Sequence, residues 1–313
     1  MRWRREGRFR SRRLELVIGC VVLLAATAGS GSAGGRTIRL IGAPVGVAVG
    51  AGSVFVLVED NAGEELLRLD PGTGAVRSTT PLDEVGSDNG GVAVQDGTVW
   101  AAAGGRLFRL DATGNVVATV AVGPTATSVF ASRSAVWVTR ASSRLGQLVR
   151  VDPRSNRVVA RISMGGGPGS VVSALGSVWV ANSGPSSLMR IDPRTNRVVA
   201  TLLTTRFSTA LALARRRLWV AGGNSLVGLD AQGRIVGQLV LPRTVIRIAA
   251  HDNDLWGTDD CGCAIGRLLR INLRQGRVSG TMTVGQTPVA VATGYGAVWV
   301  ANFNDSSLSR IRY

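Results

Sequence analysis

Lysine is missing from all 313 residues, histidine occurs once and cysteine three times. The whole basic charge is therefore carried by Arg. The one imidazole, His251, leaves no Ser-His-Asp set to assemble. The cysteines are too few, without further His, to complete a structural zinc site. Glutamate is confined to six positions, Glu6, Glu15, Glu59, Glu64, Glu65 and Glu84, so none stands in the later part of the chain. No stretch has helical periodicity over ten residues, which removes the helical and mixed fold classes. The longest apolar run, "LELVIGCVVLLAATA", is 15 residues and falls short of the roughly 20 that span a bilayer comfortably.

What the chain does have is self-similarity. "VDPRSNRVVARI" at 151–162 and "IDPRTNRVVATL" at 191–202 are almost the same twelve residues. An aromatic recurs at Phe55, Trp100, Trp137, Trp179, Trp219, Trp256 and Trp299, at intervals of 37 to 45 residues. A second marker follows each aromatic by 10 to 15 residues: "RLD", "RLD", "RVD", "RID", "GLD", "RIN" and "RIR". Seven copies of one unit are present, and a period near 40 signals a repeat architecture.

Each unit reads as four short strands of Val, Ile, Leu, Ala and Trp bounded by Gly, Pro, Asn and Asp. In the fourth unit these are "GSVVSAL", "SVWVAN", "SLMRID" and "RVVATLL", here named strands a to d. The fold class is all-β, a seven-bladed β-propeller of four-stranded antiparallel blades. The "DPRTN" between strands c and d is a turn, in which Asp192 accepts backbone N–H bonds and Asn196 tolerates the left-handed conformation. The repeated Asp is therefore turn chemistry rather than catalysis, and the Trp set fills the space between blades. The last unit ends at "SLSRIRY" with strand c, while "RTIRLIG" at 36–42 precedes the first a strand. That N-terminal strand is expected to pair with 307–313 and close the ring.

The formal net charge of +16 is partly a property of one end, because residues 1–35 hold seven Arg and two Glu. Elsewhere Arg recurs at matched blade positions and forms no stripe with interleaved aromatics, which argues against a nucleic-acid partner. "MRWRREGRFRSRR", the apolar run and "GSGSAGG" together have the form of a secretory signal, with an uncleaved anchor as the alternative. The expected organisation is 1–35 signal or anchor plus a flexible small-residue segment, then 36–313 propeller. The expected location is extracytoplasmic, the membrane being touched only by the N-terminal segment. With Cys20 in the signal, Cys261 and Cys263 remain in "TDDCGCAIG". A local disulfide, contributing only about 1.6 kcal/mol by loop entropy, is one reading. A metal site using Asp259, Asp260 and the thiolates is the other.

The strings "VWVANSGPSSLMRIDPRTNRVVATL" and "TVGQTPVAVATGYGAVWVANFNDSSLSRI" resemble the YVTN-type bacterial β-propellers and the related streptogramin lyase (virginiamycin B lyase) superfamily across 36–313. The resemblance to the lyases implies metal-dependent elimination on a cyclic depsipeptide, with His and Glu on the active face. This chain departs from that pattern: His251 falls in an a–b hairpin, read as a solvated loop residue on the wrong face, and no late Glu exists. No catalytic set and no cofactor emerge, a divalent metal being left open. The leading function is an exported, monomeric binding or scaffold propeller of the cell envelope, engaging an envelope component, peptide or protein through its b–c and d–a loops. The alternative is a metal-dependent lyase-like or lactonase-like enzyme.

Three residues past each strand-b aromatic should lie the mouth of the ligand face. Counting so gives Arg140, Asn182, Asp259 and Asn302, with Asp260, Asn304 and Asp305 just beyond. Asp60 joins them from the first unit, and "LDEVGSDNGG" adds Asp83, Glu84, Asp88 and Asn89. Arg144, Arg206 and Arg243 come from the opposite half of the ring. A two-signed face follows as the expectation, its acidic arc suited to a cation and its basic arc to carboxylate or phosphate.

Overall fold

The computed structural model describes residues 35–82, 90–141, 146–184, 186–204, 210–259 and 265–313. Those residues build seven four-stranded antiparallel sheets. Six sheets take their strands consecutively, over 43–81, 91–121, 126–165, 168–203, 210–240 and 245–284. The seventh joins Pro288–Gly294, Ala297–Asn302 and Ser307–Arg312 to the N-terminal strand Gly35–Arg39. Gly35 stands opposite Ile311 and Arg39 opposite Ser307, so strand d of blade 7 comes from the other end of the propeller. The seven a strands touch in succession, and Ala43–Gly50 meets Pro288–Gly294 to complete the circle.

Turn chemistry sets the repeat. Several a–b hairpins close with two residues at positive φ, as at Asp96 and Gly97 (48° and 77°) or Leu175 and Gly176 (54° and 78°). Such turns match the right-handed twist of the flanking strands. In the c–d turns Asp70, Asp111, Asp152, Asp192 and Asp230 each accept the backbone N–H two residues on, and Asn272 does so in blade 6. Asn156 and Asn196 take φ of 54° and 57°, as their turns require. The Thr73 backbone N–H, above all, holds the Asp70 carboxyl down at about 2. Backbone donors likewise lower Asp152, Asp192 and Asp230, while the Thr113 hydroxyl leads for Asp111.

The core is divided into seven wedges, one per junction between blades. Trp137 packs with Val171, Val178 and Val180 of blade 4, and Trp179 with Leu211, Leu218 and Val220 of blade 5. Trp219, Trp256 and Trp299 do the same onto blades 6, 7 and 1, Trp100 onto blade 3, and Phe55 onto Val99 and Phe108 of blade 2. Each strand-b aromatic therefore belongs to its own sheet by hydrogen bonding and to the next by packing. Over five of the six strand-b Trp lies the guanidinium of a strand-c Arg, its carbon 5.2–5.9 Å from the ring centroid. A cation over an indole face is attracted by the ring quadrupole.

Closure rests on few contacts. Ile38, 9% exposed, is a buried side chain from the closing strand and lies in the wedge that holds Trp299. We expect Ile38→Ala to cost about 2–5 kcal/mol, as an interior core truncation does. Chemical denaturation checks this, and a loss below about 0.5 kcal/mol, the level of a surface change, would show that the closing strand is dispensable.

Candidate ligand face and axial cavity

The a strands enter the ring from the face built by the b–c and d–a connections, and on this side a cavity of about 420 Å3 lies on the axis. All seven a strands line it, joined by Ala141, Ser183 and Phe303 from the b–c loops. Its shape follows from one column of residues. Opposite the strand-b aromatics stand Ala48, Ala93, Phe130, Val172, Ala212, Ala249 and Ala292. Two residues before them come Gly46, Gly91, Ser128, Ser170, Ala210, Arg247 and Ala290. Six are small because neighbouring a strands converge here. A Cβ at Gly91 would sit 3.0 Å from Val129 N and 3.1 Å from Ser128 Cα. The hydroxyls tie blades together: Thr139 Oγ1 donates to Gly169 O at 2.7 Å, and Leu211 N donates to Ser170 Oγ.

Arg247 breaks the column. Its side chain is exposed, its Nη1 donates to Ile246 O at 2.9 Å, and it is the single charged residue among the described residues that line the cavity. A guanidinium has five donors in a fixed fork, suited to a carboxylate. Among hydroxyls, glycine backbone and valine, it makes the axial mouth suited to an anionic or carbonyl-bearing group. Sequence counting missed Arg247. The signal was available: once the aromatics fix the register, it is the one large side chain in a column of small ones.

Of the residues expected at the mouth, Asp60, Arg140, Asn182, Arg243, Asp259, Asn302, Asn304 and Asp305 are described; Arg206, Asp260, Asp83, Glu84, Asp88, Asn89 and Arg144 lie outside the described residues, as do Cys261 and Cys263. None of the eight lines the axial cavity; in three blades the residue after the strand-b end does so, Ala141, Ser183 and Phe303. Asn182 and Asn302 are fully buried. Asn182 Nδ2 donates to Met164 O at 2.6 Å, and Asn302 Nδ2 donates to Ser307 and Ser309 hydroxyls at 3.0 Å. Asp60 is exposed and accepts from the backbone of Ala62 and Gly63, and Asn304 is exposed. Arg140 donates to Pro124 O and Gln147 Oε1, and burial, then Arg161, lowers its pKa. Asp259 is buried and forms an ion pair with Arg243 at 3.2 Å. The acid and base assigned to opposite arcs thus answer each other. These polar ends of strand b brace the loops behind the cavity rim.

Among the described residues no three His, Cys, Asp or Glu side chains come together as a metal set. His251 stands at the a–b hairpin of blade 6, on the face opposite the cavity, yet it is packed: its ring lies 4.0 Å from that of Tyr313.

No protein family matches the sequence, and no curated protein is recognisably similar to it. Solved structures are similar in shape. The chain is similar to Kuenenia stuttgartiensis hydrazine synthase with a TM-score of 0.71 at 12% identity, over 88% of this chain and 97% of that one. It is similar to BamB from Moraxella catarrhalis with a TM-score of 0.57 at 15% identity, over 86% and 85% of the two chains. Both likenesses show the fold alone.

The Arg243 and Asp259 pair generates a test. Removing the cation leaves a buried carboxylate short of a partner, which costs about 1–3 kcal/mol. We expect Arg243→Ala to be the more destabilising change and Asp259→Asn the milder. Equal stabilities of both variants and the parent in urea titration would mean that the pair fixes nothing.

Proposed function

We propose that the protein is an exported binding or scaffold propeller of the cell envelope that takes a peptide or protein ligand at its axial mouth. The observation that carries this reading is the cavity itself, formed jointly by seven blades on the b–c and d–a face, with Arg247 as its charged lining residue. A ring of glycine and small side chains admits extended backbone, and the guanidinium offers a fork to a terminal or side-chain carboxylate. The similarity in shape to BamB, and the resemblance of the repeats to YVTN-type propellers and the streptogramin lyase superfamily, support a bacterial scaffold of this kind. On this reading the residues before the closing strand Gly35–Arg39 serve as signal or anchor and the rest as the propeller. Among the described residues no helix is long and apolar enough to cross a membrane, so tethering on this reading falls to the N-terminal segment.

Calorimetry of the full chain against tetrapeptides bearing free or amidated C-termini tests the proposal. Free acids should bind, amidation should weaken them at least tenfold, and Arg247→Ala should erase the difference. Peptides that bind equally with either terminus, or a metal-dependent turnover of a cyclic depsipeptide, would overturn it.

A further inference from the structure

The second cavity of interest lies on the opposite face, and the repeats themselves say what fits it. At four junctions the strand-c Arg reaches through Nη1 to the c–d turn of the following blade. Arg109 donates to Pro153 O and Asn156 Oδ1 at 3.1 and 3.2 Å, and Arg150 to Pro193 O and Asn196 Oδ1 at 2.7 and 2.8 Å. Arg190 donates to Ala231 O at 2.9 Å, and Arg310 to Gly72 O. Each of these guanidiniums rests over its own blade's Trp. An Arg on Trp platform in this molecule is thus a receptor for a β-turn.

Arg270 has the same platform, 5.3 Å over Trp256. The blade that follows it is the seventh, whose d position is filled by Gly35–Arg39 from the other end of the propeller. Among the described residues no c–d hairpin stands there to receive Arg270. Instead its Nε and Nη2 grip Asp254 Oδ2 at 2.7 and 2.6 Å, which leaves Nη1, the atom used at the other four junctions, outside that pair. A cavity of about 300 Å3 occupies the place, lined by Asp254, Trp256, Arg270, Arg274, His251 and Tyr313 among others.

Asp254 Oδ1 and Trp256 Nε1, on residues 8% and 2% exposed, are buried behind this wall without a hydrogen-bond partner. The indoles of Trp179 and Trp299 donate to Ala174 O and Gly294 O, whereas Trp219 Nε1 is buried without a partner as Trp256 Nε1 is. What the wall offers is therefore the Arg270 guanidinium on its Trp256 platform, flanked by the stacked rings of His251 and Tyr313. That is the arrangement that receives a turn at the other four junctions.

We propose that this seam pocket docks an exposed β-turn of a partner protein, in the place that the next blade's c–d turn takes at the other junctions. The turn's carbonyl accepts from Arg270 Nη1, as the turn carbonyls do at those four junctions. The site is independent of the axial mouth and stands or falls separately from the ligand assigned there.

The probe is a cyclic peptide carrying this chain's own turn, "RIDPRTNRVV" from 190–199, with a scrambled cyclic control. Titrated into the full chain, it should shift the Trp256 indole N–H resonance saturably, and the control should not. Arg270→Met, which removes the donor and keeps an apolar chain over Trp256, should weaken binding at least tenfold. A circular permutant that joins Tyr313 to Gly35 through a "DPRTN" turn fills the pocket from within. It should lose the peptide by at least the same factor and show the shifted Trp256 resonance unaided. Equal binding by parent and permutant, or none by the parent, overturns the proposal. So do contacts from the Trp256 indole N–H to residues 1–34 in the free chain, which would make the chain's own N-terminal segment the occupant.

Discussion

Everything in this molecule hangs on a side chain that belongs to two blades at once. The strand-b aromatic is hydrogen-bonded into one sheet and packed into the next, and truncating a buried Trp typically costs about 3–5 kcal/mol. Six Trp and Phe55 therefore act as seven wedges in a ring where no single wedge can be lost without opening a junction. At four junctions the strand-c Arg adds direction, since it lies over the Trp and binds the neighbour's c–d turn, so packing and hydrogen bonding specify the same partner. Where the Arg is absent the geometry explains it: a Cβ at Gly228 would stand 3.1 Å from the Trp219 ring.

The same close approach of blades shapes the functional surfaces. Near the axis the a strands come together so tightly that six of seven matched positions carry Gly, Ala or Ser, and the space that remains is a cavity open to the loop face. Arg247 keeps its length there because it projects into that space. At the seam the opposite holds. Closure by the N-terminal strand completes the sheet, and among the described residues no c–d turn meets Arg270, which pairs with Asp254 of its own blade.

Much of this was legible in the sequence, for a physical reason. Turn residues, strand alternation and a wedge aromatic are local or periodic, and seven copies let one unit check another. The Asp of "DPRTN", the left-handed Asn196 and the pairing of Gly35–Arg39 with Ser307–Arg312 all stand as the repeats imply. The site was less legible, because it depends on which strand-b end turns inward. Asn182, Asn302 and Asp259 look like loop polar groups in the sequence, but each is buried at the end of its strand, where Asp259 meets Arg243. His251 was read as solvated because stacking on Tyr313, 62 residues later, has no local signature. The reach of Arg109, Arg150, Arg190 and Arg310 into the next blade was invisible for the same reason.

At four junctions neighbouring blades are coupled by an Arg held on a Trp and satisfied by the neighbour's turn. A double-mutant cycle on Arg150→Met and Asn196→Gly measures this coupling most directly, because Asn196 supplies an acceptor at 2.8 Å and lies in the following blade. The account predicts a coupling of about 0.5–3 kcal/mol in unfolding free energy, as for residues in direct contact. Additivity of the two substitutions to within about 0.3 kcal/mol would contradict it.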